Sequence, residues 1–214
     1  MPERLPVTLC EASLPRSAHV CAFFESEEEH YASVIPYFAE GLLHDEQLLN
    51  IYAREDHAAH VERLESAGVP ARAAIARKQL NLTTPEETYL EGGSFDIGAM
   101  FNRVEATLLE ARTSEFPFVR TCGDMGWALD ALANTDALIE YEARLNFLTT
   151  QHSCTFVCAY DSRKFSPETL RDILSTHPQV LIGLTVLENP QYVPPMKYLK
   201  KLISRKSASL RRSS

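Results

Sequence analysis

Residues 19–30 read HVCAFFESEEEH, an apolar run that breaks into a cluster of carboxylates. His19–Phe24 has the length and composition of a short buried strand. A helix is expected from Glu27 to Leu43, because Tyr31, Ile35, Phe38 and Leu42 recur at helical spacing. Pro36 within it predicts a kink or a shorter helix, since proline removes a backbone donor and crowds the preceding turn. The joint between strand and helix carries the most information. Nucleotide-hydrolysing α/β domains place Gly-x-x-x-x-Gly-Lys-Ser/Thr there, so that backbone N–H groups cradle phosphate and lysine meets its charge. Here the joint is Glu25-Ser26-Glu27-Glu28-Glu29-His30, with four carboxylates and neither glycine nor lysine. A helix N-terminus attracts anions, but the chain's own glutamates take that role. Hydrolysis through a standard phosphate loop is therefore not expected.

Working outward, apolar runs and amphipathic stretches alternate. Strands are expected at Leu48–Ala53, Gln79–Thr83, Phe118–Cys122, Cys154–Tyr160 and Val180–Leu187. Between them, Asp56 is placed to cap a helix bearing Val61 and Leu64 that stops at Gly68. Tyr89–Phe95 reads as a loop with two glycines. Asp96 caps a helix with Ile97, Phe101, Val104, Leu108 and Ala111 on one face. Asp136 opens another, with Leu138, Tyr141, Leu145 and Leu148 aligned. Ser166-Pro167 has cap and first-turn chemistry for a helix over 167–176, which Pro178 closes. Strands alternating with helices predict an α/β fold: a mostly parallel central sheet, built by right-handed crossovers and flanked by helices on both faces.

Composition sets limits. A chain of 214 residues with 45% apolar content can bury one core without cross-links. Five cysteines, an odd number without paired spacing, predict free thiols rather than a disulfide framework. No run approaches the roughly 18 apolar residues of a membrane span, and the acidic, proline-containing start lacks the pattern of a secretory signal. A cytoplasmic location is expected. Net charge is −8, but residues 189–214 hold seven Lys/Arg and no acid, so the body carries 14 basic and 29 acidic residues. Such a body disfavours broad nucleic-acid binding. Three parts follow: a mobile lead over 1–17, one domain over 18–195, and a basic tail over 196–214. In the tail, Met196, Leu199 and Ile203 lie near one helical face, suited to docking on a protein partner, an anionic membrane or nucleic acid.

Ligands on parallel α/β sheets sit at the carboxyl ends of the strands. Those ends are Glu25–Glu28, Arg54–Asp56, Thr121–Trp127, Tyr160–Arg163 and Glu188–Tyr192. The candidate ligand-binding residues are accordingly Glu25, Ser26, Cys122, Asp124, Met125, Trp127, Glu142 and Tyr160. Asp124 follows a strand beside the Gly123 turn, where it either contacts a ligand or caps the next turn. Trp127, the single tryptophan, either walls an apolar pocket or packs in the core. Glu142 and Asn146 share a helix face at the edge of the core. His152, Cys154 and Cys158 share a strand parity, yet their spacing matches no zinc motif, and a buried strand explains them. His177 sits where a helix dipole favours it. No catalytic residue, metal ligand or cofactor is assigned.

Five segments together resemble one family: HVCAFFESEEE at 19–29, TCGDMGWAL at 121–129, YEARLN at 141–146, AYDSRKFSPETLRDILSTHPQV at 159–180 and NPQYVPP at 189–195. They are similar to the methanogen/methylotroph DcmR-type sensory domain, MEDS, over about residues 16–196. Members commonly carry Gly-Glu-Met, a small polar residue and Trp where this chain has Gly123-Asp124-Met125-Gly126-Trp127. The resemblance implies a RecA-like three-layer sandwich lacking the phosphate loop, a signalling role, and a small-molecule ligand with hydrocarbon-like character. A protein partner in a signalling pathway, reached through the tail, and self-association are also expected. The leading expectation is a non-enzymatic sensory domain. The alternatives are a divergent nucleotide binder or NTPase, and a pure protein-interaction module.

Overall fold

The computed structural model describes residues 6–52, 57–133 and 135–212, with side chains described up to residue 205. The expected cap at Asp56 and the strand end at Arg54–Asp56 lie outside the described residues. The chain opens with a hairpin, β1 (Val7–Leu9) and β2 (Ala12–Leu14). It continues through β3 (Ala18–Phe24), α1 (Glu27–Leu43), β4 (Gln47–Ile51), α2 (His57–Ser66), α3 (Ala71–Ala76) and β5 (Leu80–Thr83). Then come α4 (Ile97–Ala111), β6 (Val119–Asp124), α5 (Trp127–Ala131), α6 (Asp136–Gln151) and β7 (Cys154–Asp161). The order closes with α7 (Pro167–Leu174), β8 (Gln179–Ile182), β9 (Thr185–Glu188) and α8 (Pro195–Arg212). Seven strands form one sheet in the order β5-β4-β6-β7-β3-β8-β9, parallel except for the β8–β9 hairpin. This is the α/β sandwich expected from the alternation of strands and helices.

Strand parity divides the core in two. Val20, Ala22, Leu48, Cys122 and Val157 pack beneath α1 together with Tyr37, Phe38 and Leu64. Cys21, Ile51, Phe156, Cys158 and Tyr160 face α4, α6 and α8 on the other side. Local signals set the helix ends. Ser26, Asp96 and Ser166 each accept a hydrogen bond from the backbone N–H three residues on, and Gly68 leaves α2 at φ +85°.

Four sequence expectations change. Pro36 does not shorten α1, because Pro36 and Ala32, whose carbonyl loses its partner, both face solvent. Within the lead, the hairpin buries Val7, Leu9 and Leu14, and Thr8 N–H donates to Glu40 at 2.8 Å. Val180–Leu187 is two antiparallel strands, turned at Gly183 with φ +58°. The tail is helical, and Tyr198 and Leu202 dock on the domain while Met196 and Ile203 stay exposed. Arg205 fixes it further through Asp172 at 3.1 Å. Among the described residues no helix is long and apolar enough to cross a membrane.

Arg120 of β6 is fully buried beneath α1. It pairs with Glu46 and, at 2.6 Å, with Glu40, and donates to the Tyr37 carbonyl at 3.2 Å. Gly41 lets the helix approach this group: a Cβ there would sit 2.6 Å from Leu48 and 3.2 Å from the Arg120 side chain.

Candidate functional site

At the joint between β3 and α1, Ser26 accepts from Glu29 N–H at 3.1 Å, and the Glu29 carboxylate accepts from Glu25 N–H at 2.8 Å. This reciprocal closure resembles a capping box. Backbone donors that would otherwise meet a bound anion are used internally, within a field of glutamates.

Beside this joint lies a polar cleft of about 240 Å³ at the strand carboxyl ends. Ser26, Asp124 and Tyr160 line it, as do His30, Asp161 and Arg163. Asp124 accepts from Gly126 N–H at 2.8 Å, so it shapes the turn into α5 while bordering the cleft. The Arg163 guanidinium, 2.8 Å from Asp161, holds that carboxyl down at about 2. Burial keeps His30 neutral, its pKa lowered to about 4.

The other sequence candidates fall elsewhere. Glu25 is exposed beyond the cleft lining. Cys122 lies on the α1 side with its sulfur 4.0 Å from His30, and burial pushes its thiol up to about 12. Met125 is fully buried and accepts from the Tyr89 hydroxyl at 3.6 Å. Trp127 stacks on Tyr89, ring centroids 4.6 Å apart, with Phe95 against it at 4.9 Å. Its role in this arrangement is packing, as the wall behind Tyr89.

Tyr89 also borders a larger cavity of about 430 Å³ between the sheet and α4. Leu49, Ile51, Thr121 and Phe156 form its floor, and Met100, Val104 and Leu108 its roof. Asn81, Thr83, Arg103 and Thr107 add polar groups to the lining. Thr121 sits at mid-sheet on β6 and is still partly exposed, which registers how incompletely α4 covers this region.

Behind the cavity, Glu142 is wholly buried rather than placed at the edge of the core. Its Oε2 lies 3.0 Å from His19 Nε2, 3.4 Å from Cys158 Sγ and 3.4 Å from His177 Nε2. The Tyr160 hydroxyl donates to Oε1 at 2.6 Å. Burial opposes ionisation of Glu142, but the His177 and His19 imidazoles set against it outweigh burial, holding the carboxyl well below the usual range. Burial, followed by the proximity of His177, lowers His19 to about 4. One ligand atom from each of His19, Glu142, Cys158 and His177 lies within 4.8 Å of the others. Sequence reasoning left His19, Cys158 and His177 out of the site. The available signal was parity: His19 on β3 and Cys158 on β7 face the same side as Glu142 of α6.

The parallel sheet, the closed strand-to-helix joint and the lined cavity define a fold and a site, and kinship supplies the class: sensory and regulatory. The chain belongs to the MEDS family, the methanogen/methylotroph DcmR sensory domain, whose sequence profile matches residues 18–178. It is also 26% identical over 161 residues to the transcriptional repressor DcmR of Methylorubrum extorquens. That match covers 74% of this chain and 57% of the relative, so the chain spans little more than half of that protein.

Proposed function

We propose that the chain is a non-catalytic sensory domain that binds a small, largely apolar ligand in the cavity beneath α4. The observation that carries this reading is the cavity itself. Between the sheet and α4 the protein keeps a cleft of about 430 Å³ that is partly open to solvent and floored by core side chains. That volume falls within the roughly 300–1,000 Å³ typical of ligand sites. An apolar floor and roof suit a hydrocarbon-like body, and Asn81, Thr83 and Arg103 suit a polar end. Kinship to a sensory family and to a repressor supports a regulatory output through a protein partner. A ligand filling the cavity favours the state in which α4 is closed on the sheet, and that bias is the signal. The internally capped joint at Ser26 weighs against the nucleotide-binding alternative.

The test is denaturing mass spectrometry of natively purified protein, with thermal shifts measured against short-chain alkanes, alcohols and aromatic hydrocarbons. A compound retained by the wild type and lost from Val104→Trp, whose indole fills the cavity, supports the reading. A wild type that is empty and unshifted by every probe overturns it.

A further inference from the structure

The buried group formed by His19, Glu142, Cys158 and His177 is only in part a set of good hydrogen bonds. His177 Nε2 is fully buried and has no hydrogen-bond partner, although it lies 3.4 Å from Glu142 Oε2. Its Nδ1 is 2.8 Å from the Ile173 carbonyl and 3.0 Å from the Thr176 hydroxyl. Donation from Nδ1 to that carbonyl leaves Nε2 a bare lone pair directed at the group. Cys158 Sγ stands 3.5 Å from His19 Nε2 and 3.4 Å from Glu142 Oε2.

Three of the separations, at 3.4, 3.4 and 3.5 Å, match the edges of a coordination tetrahedron, and the fourth, His19 Nε2 to Glu142 Oε2, is shorter at 3.0 Å. Zinc bonds of about 2.0–2.1 Å to nitrogen, 2.0–2.2 Å to oxygen and 2.3 Å to sulfur put neighbouring ligand atoms roughly 3.3–3.6 Å apart. Four edges of the set are on the page, at 3.0, 3.4, 3.4 and 3.5 Å, and all four atoms lie within 4.8 Å of one another. We propose that His19 Nε2, His177 Nε2, Cys158 Sγ and Glu142 Oε2 form a closed tetrahedral site for a zinc-class divalent metal ion.

Charge supports the same assignment. A divalent ion with one thiolate, one carboxylate and two neutral imidazoles is neutral overall, which suits a site this deeply buried. Coordination removes the Cys158 thiol proton, which passes to solvent. Part of an outer shell is in place: Tyr160 donates to Glu142 Oε1, leaving Oε2 for the metal, and the Ile173 carbonyl orients His177, while His19 Nδ1 has no hydrogen-bond partner. All four ligands are buried, with no open position for substrate, so the site is structural or regulatory.

The test uses the full chain without a polyhistidine tag, produced in zinc-replete medium and purified without chelator. Elemental analysis is expected to find about one zinc per chain. Chelation lowers the midpoint of thermal unfolding, and added zinc restores it. Exchange with Co2+ gives tetrahedral visible bands with a thiolate charge-transfer band. Cys158→Ala abolishes that band, whereas Cys154→Ala, at a buried position on the same strand outside the group, keeps it. If Cys158→Ala does not fold, the thiolate band of the wild type decides alone. Wild type that carries under about one-tenth of an ion per chain and takes up no Co2+ overturns the proposal. So does a Cys158→Ala variant with an unchanged Co2+ spectrum.

Discussion

Leu48 and Leu49 are neighbours on β4 and opposites in environment. Leu48 is fully buried beneath α1, with a methyl group where a Gly41 side chain would have to go. Leu49 is partly exposed in the floor of the cavity beneath α4. The same division runs along β6, where Arg120 is sealed under α1 and Thr121 faces the cavity. One face is held by close backbone approach and a buried ion-pair network; the other keeps space and places a cluster of polar side chains behind it. The difference teaches which face has room for the ligand proposed above. Filling the α4 side gains contacts that are now missing, whereas the α1 side has no slack in the Gly41–Leu48–Arg120 contact.

Arg120→Ala is the strongest way to break the contrast. Removing one partner of a buried ion pair costs about 3–5 kcal/mol, measured by urea unfolding, and a loss below 1 kcal/mol would mean the α1 side is not locked by this network. The acid limb tests the same residues. Burial works to raise the Glu40 carboxyl, but hydrogen bonds from Thr8 and Arg120 and the Arg120 charge prevail and set it below its ordinary 4.5. Its stabilising contribution is therefore complete above pH 4.5 and is lost as pH falls through the lower folded value. Unfolding free energies between pH 5 and pH 3 are expected to fall less steeply for Arg120→Ala than for the wild type. Parallel slopes would detach Glu40 from Arg120.

The two leucines give the sharpest comparison. Leu48→Ala is expected to cost about 2–5 kcal/mol. Leu49→Ala, which removes atoms already bordering open space, is expected to cost about 1 kcal/mol and to weaken ligand retention instead. Equal losses would erase the distinction between the faces. The smallest effect belongs to the joint that caps α1: Ser26→Ala should cost about 1 kcal/mol and leave ligand retention in the cavity unchanged. A Ser26 variant that retains no ligand would move the binding site to the polar cleft.

Much of the fold was legible before any tertiary information. The limits of α1 at Glu27 and Leu43 follow from the helical spacing of Tyr31, Ile35, Phe38 and Leu42, and Asp96 caps α4 as its sequence position implies. Other features escaped for local reasons. The hairpin at Val7–Leu14 is two strands of three residues each, too short for a periodic signal. Met100 joins Val104, Leu108 and Ala111 on the buried stripe of α4 at helical spacing, while Ile97 and Phe101 of the expected face are only partly buried. Trp127 has the same composition signal whether it walls a pocket or packs in the core, and only the tertiary structure places it against Tyr89.

The sequence by itself determined the alternation of strands and helices, the absence of a phosphate loop at Glu25–His30, and membership of the family. Those are properties of spacing, cap chemistry and residue type, which act over a few residues. The tertiary structure decided which side chains meet. His19 and Glu142 are 123 residues apart, and His19 and Cys158 are 139 apart. They converge because β3 lies parallel to β7 in a register that pairs Cys21 with Cys158, and because α6 lays Glu142 over that pair of strands. Sheet order and register are set by long-range packing, and no local spacing encodes them.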